Sequence, residues 1–286
     1  MIYLYIKNIM KNIINTSLFT NDFTPESVYI LGLLWADGYT DKKSNRVSIE
    51  CVKDDIEYFY PIFQTTGDFK LSERQRPNRR LQGTISKSSL ELSTFLKEND
   101  YGDKSLSSPN KIISRIPKNL INYFYLGWSD GDGCFYYSKT KKIIQFIISG
   151  SYDQDWGSLI TICDELKIQH RIDRFITKKN HKYSRFLINK NEDILIFGKF
   201  IYENTLIGLP RKKEKYNVIK NYIDDKNSIV FQCYDKSEKL INEFSSLKSA
   251  SDWLNKGRYV GTCISNNING RQPTAHGFIW KKIKKQ

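Results

Sequence analysis

The sequence predicts an α+β protein made of two similar halves and a small, more basic C-terminal piece. Three observations carry that reading. One order of predicted elements occurs twice along the chain, a small-residue motif ending in Asp-Gly closes the first helix of each copy, and positive charge becomes denser after residue 228. The limits that follow are 20–117 and 118–225 for the halves and 229–286 for the C-terminal piece.

The first copy opens on Thr24-Pro25-Glu26, a helix start with Thr24 as N-cap, Pro25 at the first helical position and Glu26 in the first turn. The apolar stretch from Val28 to Ala36 carries the helix to Asp37-Gly38. An alternating strand follows, with Val47, Ile49 and Cys51 inward and Ser48 and Glu50 outward. Helical patterns over about 54–64 and 88–98 flank a hairpin over about 69–86. The second copy repeats this order: a helix from about Lys118 to Asp132-Gly133, strands near 134–138 and 142–149, a helix over about 153–166, a hairpin over about 169–190, and a helix over about 192–204. Two copies make a pair of half-domains; a solenoid needs more.

Composition removes whole classes of function. The 286 residues hold no apolar run near the roughly 18 to 20 that a membrane helix needs. Lys7, Asn8, Lys11 and Asn12 break up the apolar opening segment, so the reading is an untargeted, soluble intracellular chain with no membrane partner. The five cysteines (51, 134, 163, 233 and 263) form no C-x-x-C pair, which argues against zinc ribbons and disulfide scaffolds. His170, His181 and His276 have no metal-ligand spacing, and neither a phosphate loop nor a dinucleotide fingerprint is present. Any chemistry must rest on carboxylates.

The 45 Lys+Arg against 31 Asp+Glu give a net charge of +14, and its placement points to a polyanion. The first hairpin carries Lys70, Arg74, Arg76, Arg79 and Arg80 against Glu73; the second carries Arg171, Arg174, Lys178, Lys179, Lys182, Arg185 and Lys190 against Asp173. Lys70, Ser72, Arg74 and Arg76 recur at period two, which places them on one face of a strand suited to a duplex groove.

The repeat is anchored by Ile30-Leu31-Gly32-Leu33-Leu34-Trp35-Ala36-Asp37-Gly38 and Tyr125-Leu126-Gly127-Trp128-Ser129-Asp130-Gly131-Asp132-Gly133. Gly32 with Ala36, and Gly127 with Gly131, lie four apart and share a helix face where two backbones can approach closely. If the faces pack on each other, Asp37 and Asp132 arrive together at two helix C-termini. There the macrodipole disfavours a carboxylate by up to about 1 kcal/mol, and the pair repel each other as well. Divalent cations and a phosphodiester turn that repulsion into a binding site.

These segments resemble the paired motifs of the LAGLIDADG homing endonucleases over about residues 24–223. Ile207-Gly208-Leu209-Pro210-Arg211-Lys212-Lys213 is similar to the basic stretch before the family's last helix. Trp35 replaces the first acidic residue of the signature, which Asp130 retains, and Trp128 and Ser129 replace two apolar residues. The resemblance implies two pseudo-symmetric αββαββα half-domains with saddle-shaped antiparallel sheets lying along the major groove of double-stranded DNA. It implies a monomer cutting a long asymmetric target site and leaving 3′ extensions. Asp37 and Asp132, with Gly38 and Gly133, would hold Mg²⁺ or Mn²⁺, and Lys87 and Lys190, each between a hairpin and the next helix, would be active-site lysines. Lys53 and Ser149 are neighbours available to position water.

The C-terminal piece follows a polar linker through Ser228 and holds 10 Lys+Arg against 4 Asp+Glu. A strand over 230–234 precedes a helical face marked by Leu247, Ala250, Trp253 and Leu254, and a second helix runs from about Gly261 to Asn269. In outline this is a helix-turn-helix whose polar side, Thr262, Ser265, Asn266, Asn267 and Asn269 with Arg271, would enter a DNA groove. It resembles the small modular domains appended to phage and intron endonucleases, which close on G-[FY]-x-W as in Gly277-Phe278-Ile279-Trp280. Two other functions suit the same charge: an intron maturase binding RNA, and a DNA-binding regulator without catalysis. Neither needs both aspartates.

Overall fold

A computed structural model describes residues 15–285 apart from 42, 76, 78 and 79. The expected α+β architecture is present, with two four-stranded antiparallel sheets and a third small sheet. The chain divides into two compact units between Asn217 and Val218.

Within the first unit, each copy of the repeat runs helix, two strands, helix, two strands, helix. The first copy comprises α1 (Pro25–Asp37), β1 (Gly38–Asp41), β2 (Arg46–Val52), α2 (Lys53–Gln64), β3 (Lys70–Arg74), β4 (Gln82–Ser88) and α3 (Leu90–Glu98). The second comprises α4 (Ile121–Asp132), β5 (Gly133–Ser138), β6 (Ile143–Gly150), α5 (Gly157–Glu165), β7 (Arg171–Ile176), β8 (Lys182–Ile188) and α6 (Asn191–Tyr202). Helix α7 (Pro210–Asn227) follows, and the division between the units falls inside it. Strand order is β1-β2-β4-β3 in one sheet and β5-β6-β8-β7 in the other, the same topology twice.

Local chemistry accounts for the starts. Thr24 and Ser27 form a reciprocal capping box at α1, with Pro25 at the first helical position. Ser89 caps α3 through the Leu92 amide. The sheets bury one face: Val47, Ile49 and Ile85 in the first, and Phe135, Phe146, Ile148 and Phe186 in the second. Residues between them in sequence form the opposite, open faces.

Registers make the two halves comparable residue by residue. Gly38 pairs with Ile49 and Gly133 with Ile148, so Ile49 and Ile148 are equivalent. Ile49 in turn faces Ile85, and Ile148 faces Phe186. Lys87 therefore corresponds to Ile188, and Lys190 to Ser89. The two lysines expected at matching places are offset by two positions, because the second hairpin reaches its helix at a different register.

The second unit has a sheet that the sequence reading lacked. Strands β9 (Ile229–Tyr234), β10 (Leu240–Phe244) and β11 (Ile279–Lys284) pair in the order β10-β9-β11, with α8 (Leu247–Leu254) and α9 (Val260–Ile268) against them. The core is Cys233, Phe244, Ala250, Val260, Ile264, Ala275 and Trp280. Ser246 and Ser249 form a capping box at α8, and Asn255, at φ 45°, ends it. Among the described residues no helix is long and apolar enough to cross a membrane.

Candidate active site

The site starts from a helix pair with backbones nearly in contact. A Cβ added to Gly32 would lie 2.0 Å from the Phe124 carbonyl oxygen, one added to Gly127 would lie 2.1 Å from that of Tyr29, and one added to Gly131 would lie 2.2 Å from the Ala36 Cβ. Only small residues allow α1 and α4 to meet along these faces. The pairing sets the C-termini side by side, and the Cβ built on Gly131 lies 3.4 Å from Asp37 Oδ2.

Electrostatics record how poorly two carboxylates are accommodated there. Both aspartates are exposed on one side, yet desolvation where the helices pack, reinforced by the charge of Asp37, raises Asp132 to about 7. Desolvation raises Asp37 too, against the opposing pull of Lys104 and Lys212. Both shifts say that the ionised pair lacks compensation in the protein alone. Nearby, Asp130 Oδ2 accepts from the Tyr29 hydroxyl at 2.7 Å and the Leu209 amide at 2.6 Å, and burial lifts this carboxyl to about 6. At the matching position in the first half, Trp35 packs its ring against Tyr101.

The cations acting on the aspartates are Lys104 and Lys212. The Lys104 ammonium donates to the carbonyls of Leu34 (3.2 Å), Ala36 (2.9 Å) and Gly38 (2.7 Å) at the end of α1. Lys212 does the same at α4, reaching Ser129 (2.9 Å), Asp130 (2.6 Å), Gly131 (3.0 Å) and Gly133 (2.8 Å). A cation at a helix C-terminus satisfies orphan carbonyls and the negative end of the dipole together. Burial pushes Lys104 down to about 8 and lowers Lys212 as well. With three or four acceptors each, the ammoniums act as fixed point charges.

Several expected residues lie elsewhere. Lys87 sits within β4 on the side of the buried Ile85 and is 3.6 Å from Asp68. Lys190 is the exposed N-cap of α6. The carbonyls of Gly38 and Gly133 each accept from a lysine ammonium, which takes up one lone pair of each. Two hard carboxylate donors short of positive charge, Asp37 and Asp132, fit a divalent cation such as Mg²⁺, which keeps several positions for water and phosphate oxygens. Among the described residues no group of three or more His, Cys, Asp and Glu side chains is assembled for a metal. Ser149, Ser151, Gln154 and Trp156 line a cleft beside Asp132 and Lys104. Lys53 lies near Glu57 (3.7 Å) and Glu73 (3.8 Å).

The basic hairpins divide by face. Lys70, Ser72 and Arg74 pair with Ser86, Thr84 and Gln82, on the open side of the first sheet, and Arg46 adjoins them. Arg80 is exposed, while Arg76 and Arg79 lie outside the described residues. In the second sheet, Arg185 pairs with Ser149 and Asp173 on the open side, its guanidinium 5.4 and 5.2 Å from the Phe175 and Tyr183 rings. Arg171 shares that side, 2.8 Å from Asp173. Arg174 and Lys182 do not. Arg174 pairs with the buried Ser184 and donates to the Tyr152 carbonyl, and Lys182 lies over the Tyr152 ring. Lys178 is exposed in the β7–β8 turn.

In the second unit, Thr262 and Arg271 are exposed and Ser265 and Asn266 are half-buried. Asn267 turns inward instead: its Oδ1 accepts from the Trp280 amide at 2.6 Å and its Nδ2 donates to the Gln272 carbonyl at 2.9 Å. Sequence reading had placed it on the groove side because all polar residues of α9 were grouped together.

Lys104 and Lys212 were not singled out in the sequence either. Lys212 lies inside the basic stretch noted there, and each lysine follows the third helix of its half; that shared placement is the signal available.

No family model matches the chain, and no curated protein does. Solved structures are similar to it. One is the I-LtrWI LAGLIDADG homing endonuclease bound to target DNA, at 16% identity over 70% of this chain and 90% of that one, with a TM-score of 0.47. The I-DmoI homing endonuclease, in complex with DNA and Mn, is 18% identical over 64% of this chain and 98% of that one, with a TM-score of 0.40. Full-length DUF199/WhiA from Thermatoga maritima is 15% identical over 92% of this chain and 76% of that one, with a TM-score of 0.43.

Proposed function

We propose that the chain is a divalent-metal-dependent, site-specific endonuclease of the homing type, acting as a monomer on a long asymmetric duplex and leaving 3′ extensions. The observation that carries this is the Asp37–Asp132 pair, open to solvent at two adjoining helix ends and flanked by the fixed ammoniums of Lys104 and Lys212. Binding alone needs no such pair, and two carboxylates held together against their own repulsion mark a place where negative charge is used.

Asp37 and Asp132 would hold Mg²⁺ or Mn²⁺, which when bound polarises the scissile phosphate and supports both attacking water and leaving 3′ oxygen. The chain supplies the rest. Lys104 and Lys212 place positive charge where the phosphate gains negative charge, and their carbonyl contacts hold them there without reorganisation. Arg46, Lys70 and Arg74 on one open face, and Arg171 and Arg185 on the other, hold phosphates and read guanine edges. The polar side of α9, the exposed Thr262 and the half-buried Ser265 and Asn266, with Arg271, adds a further contact to the duplex.

The test is incubation of the protein and Mg²⁺ with plasmid carrying the DNA that flanks its own coding sequence. A defined double-strand cut, lost in Asp37→Asn and Asp132→Asn, is expected. Tight RNA binding with no DNA cut under any divalent metal would overturn the proposal.

A further inference from the structure

The segments that follow the third helix of each half are moored to both halves at once. The ammonium of Lys104 caps α1 in the first half, while its backbone is tied to the second: Gln154 Nε2 donates to the carbonyls of Lys104 (2.9 Å) and Ser107 (3.0 Å), and the Ser151 hydroxyl donates to the Ser105 carbonyl. Lys212 has the reverse arrangement. Its ammonium caps α4 in the second half, while the adjacent Arg211 grips Asp55 of the first half through Nε to Oδ1 at 2.7 Å and Nη2 to Oδ2 at 2.6 Å. The Gly208 amide also donates to the Tyr58 hydroxyl at 2.9 Å.

Asp55 lies in the first turn of α2, and Gln154 lies in the loop before α5. Each lies six residues beyond the matched strand residues Ile49 and Ile148, and each is buried. The mooring differs in chemistry between the halves, a bidentate ion pair in one and an amide across two carbonyls in the other. A bidentate pair fixes direction as well as distance.

We infer that Asp55 and Gln154 are positioning residues, Asp55 fixing Lys212 and Gln154 fixing Lys104 at the aspartate pair, each through backbone that crosses from one half to the other. The catalytic consequence rests on the nuclease reading; the placement of the lysines does not. Fixed charges must be held within about 0.5 Å to act in a transition state, and a shift near 1 Å can lower a rate about 100-fold.

The experiment measures acylation of each lysine in the full chain by mass spectrometry, beside the melting temperature. In wild type both lysines are protected. Asp55→Asn is expected to speed labelling of Lys212 at least tenfold and leave Lys104 unchanged; Gln154→Ala is expected to do the opposite. The charge exchange Asp55→Arg with Arg211→Asp is expected to restore protection of Lys212, and it is read in place of Asp55→Asn should that variant unfold. Unchanged labelling of Lys212, or an equal rise at both lysines in a folded variant, would overturn the inference. On the plasmid substrate, Asp55→Asn is expected to slow cleavage 10- to 100-fold with DNA affinity within threefold. If wild type cuts nothing, the nuclease reading fails and the labelling result still decides the mooring.

Discussion

Replacing Asp132 by Asn should stabilise the metal-free protein at neutral pH. Burial and the Asp37 charge move this carboxyl from its ordinary 3.8 to about 7. The carboxyl is also exposed on one side, so water screens the repulsion and only a small part of the shift reaches stability. Because the folded-state value is raised, the folded protein keeps a proton that the unfolded chain has released between about pH 4 and 7. Wild-type stability therefore falls as pH rises through that window, and Asp132→Asn, having nothing to titrate, escapes the fall. At pH 7.5 the variant should be more stable by up to about 1 kcal/mol, roughly 2–4 °C in melting temperature for a unit of this size. At pH 4 the gap should close. Magnesium should reverse the ranking: ligand at a hundredfold over its Kd adds about 2.7 kcal/mol to wild type and little to the variant. Calorimetric scans from pH 4 to 8, with and without Mg²⁺, measure all three effects. A variant melting below wild type at pH 7.5 without metal, or a gap constant with pH, would refute the account of burial and repulsion.

Three further outcomes are expected. Gly127→Ala puts a methyl 2.1 Å from the Tyr29 carbonyl oxygen, so the helix pair must part; a loss of more than about 3 kcal/mol in urea unfolding is expected, well beyond the ordinary effect of a helical Gly-to-Ala change. Arg185→Ala should weaken duplex binding and lower the slope of log K against log salt by about 1, read by fluorescence anisotropy, whereas Arg174→Ala, on the other side of the sheet, should leave the slope unchanged. Asn267→Ala strands the Trp280 amide and should destabilise the second unit by about 1–3 kcal/mol, while Thr262→Ala at its exposed position should not; chemical denaturation separates the two.

What the sequence disclosed depended on how local each signal was. Gly32, Ala36, Gly127 and Gly131 announce the helix pair because four-residue spacing fixes a helix face by itself, and the proximity of Asp37 and Asp132 follows from it. Strand alternation located the sheets and assigned Lys70 and Arg74 a common face correctly. In the second hairpin the same parity separates Arg174 and Lys182 from Arg171 and Arg185: Arg174 is one residue from Asp173, and a single step turns a side chain over. Lys87 and Lys190 were matched by their distance from the next helix, but pairing register, set by contacts across the sheet, governs equivalence. Lys104 and Lys212 were illegible for a deeper reason. Their roles exist only once distant helix ends expose carbonyls to them, and nothing within either segment encodes that. Strands β10 and β11 were missed because Leu240–Phe244 is short and half of Ile279–Lys284 is lysine, so neither shows a clear alternation.

Asp37 and Asp132 are each the last residue of a helix, and Gly38 and Gly133 are each the first residue of a strand. No loop separates the two kinds of structure. In an endonuclease built this way, the surface that reads the duplex and the group that cuts it are parts of one stiff lever. On the proposed reading, a base pair that fits badly would tilt the sheet, and the tilt would reach the carboxylate with no joint to absorb it. Discrimination between target sequences would then show in the rate of cutting more than in the tightness of binding, and loosening of the Asp-Gly junction by an inserted residue would make the enzyme indifferent to sequence before it made it inactive.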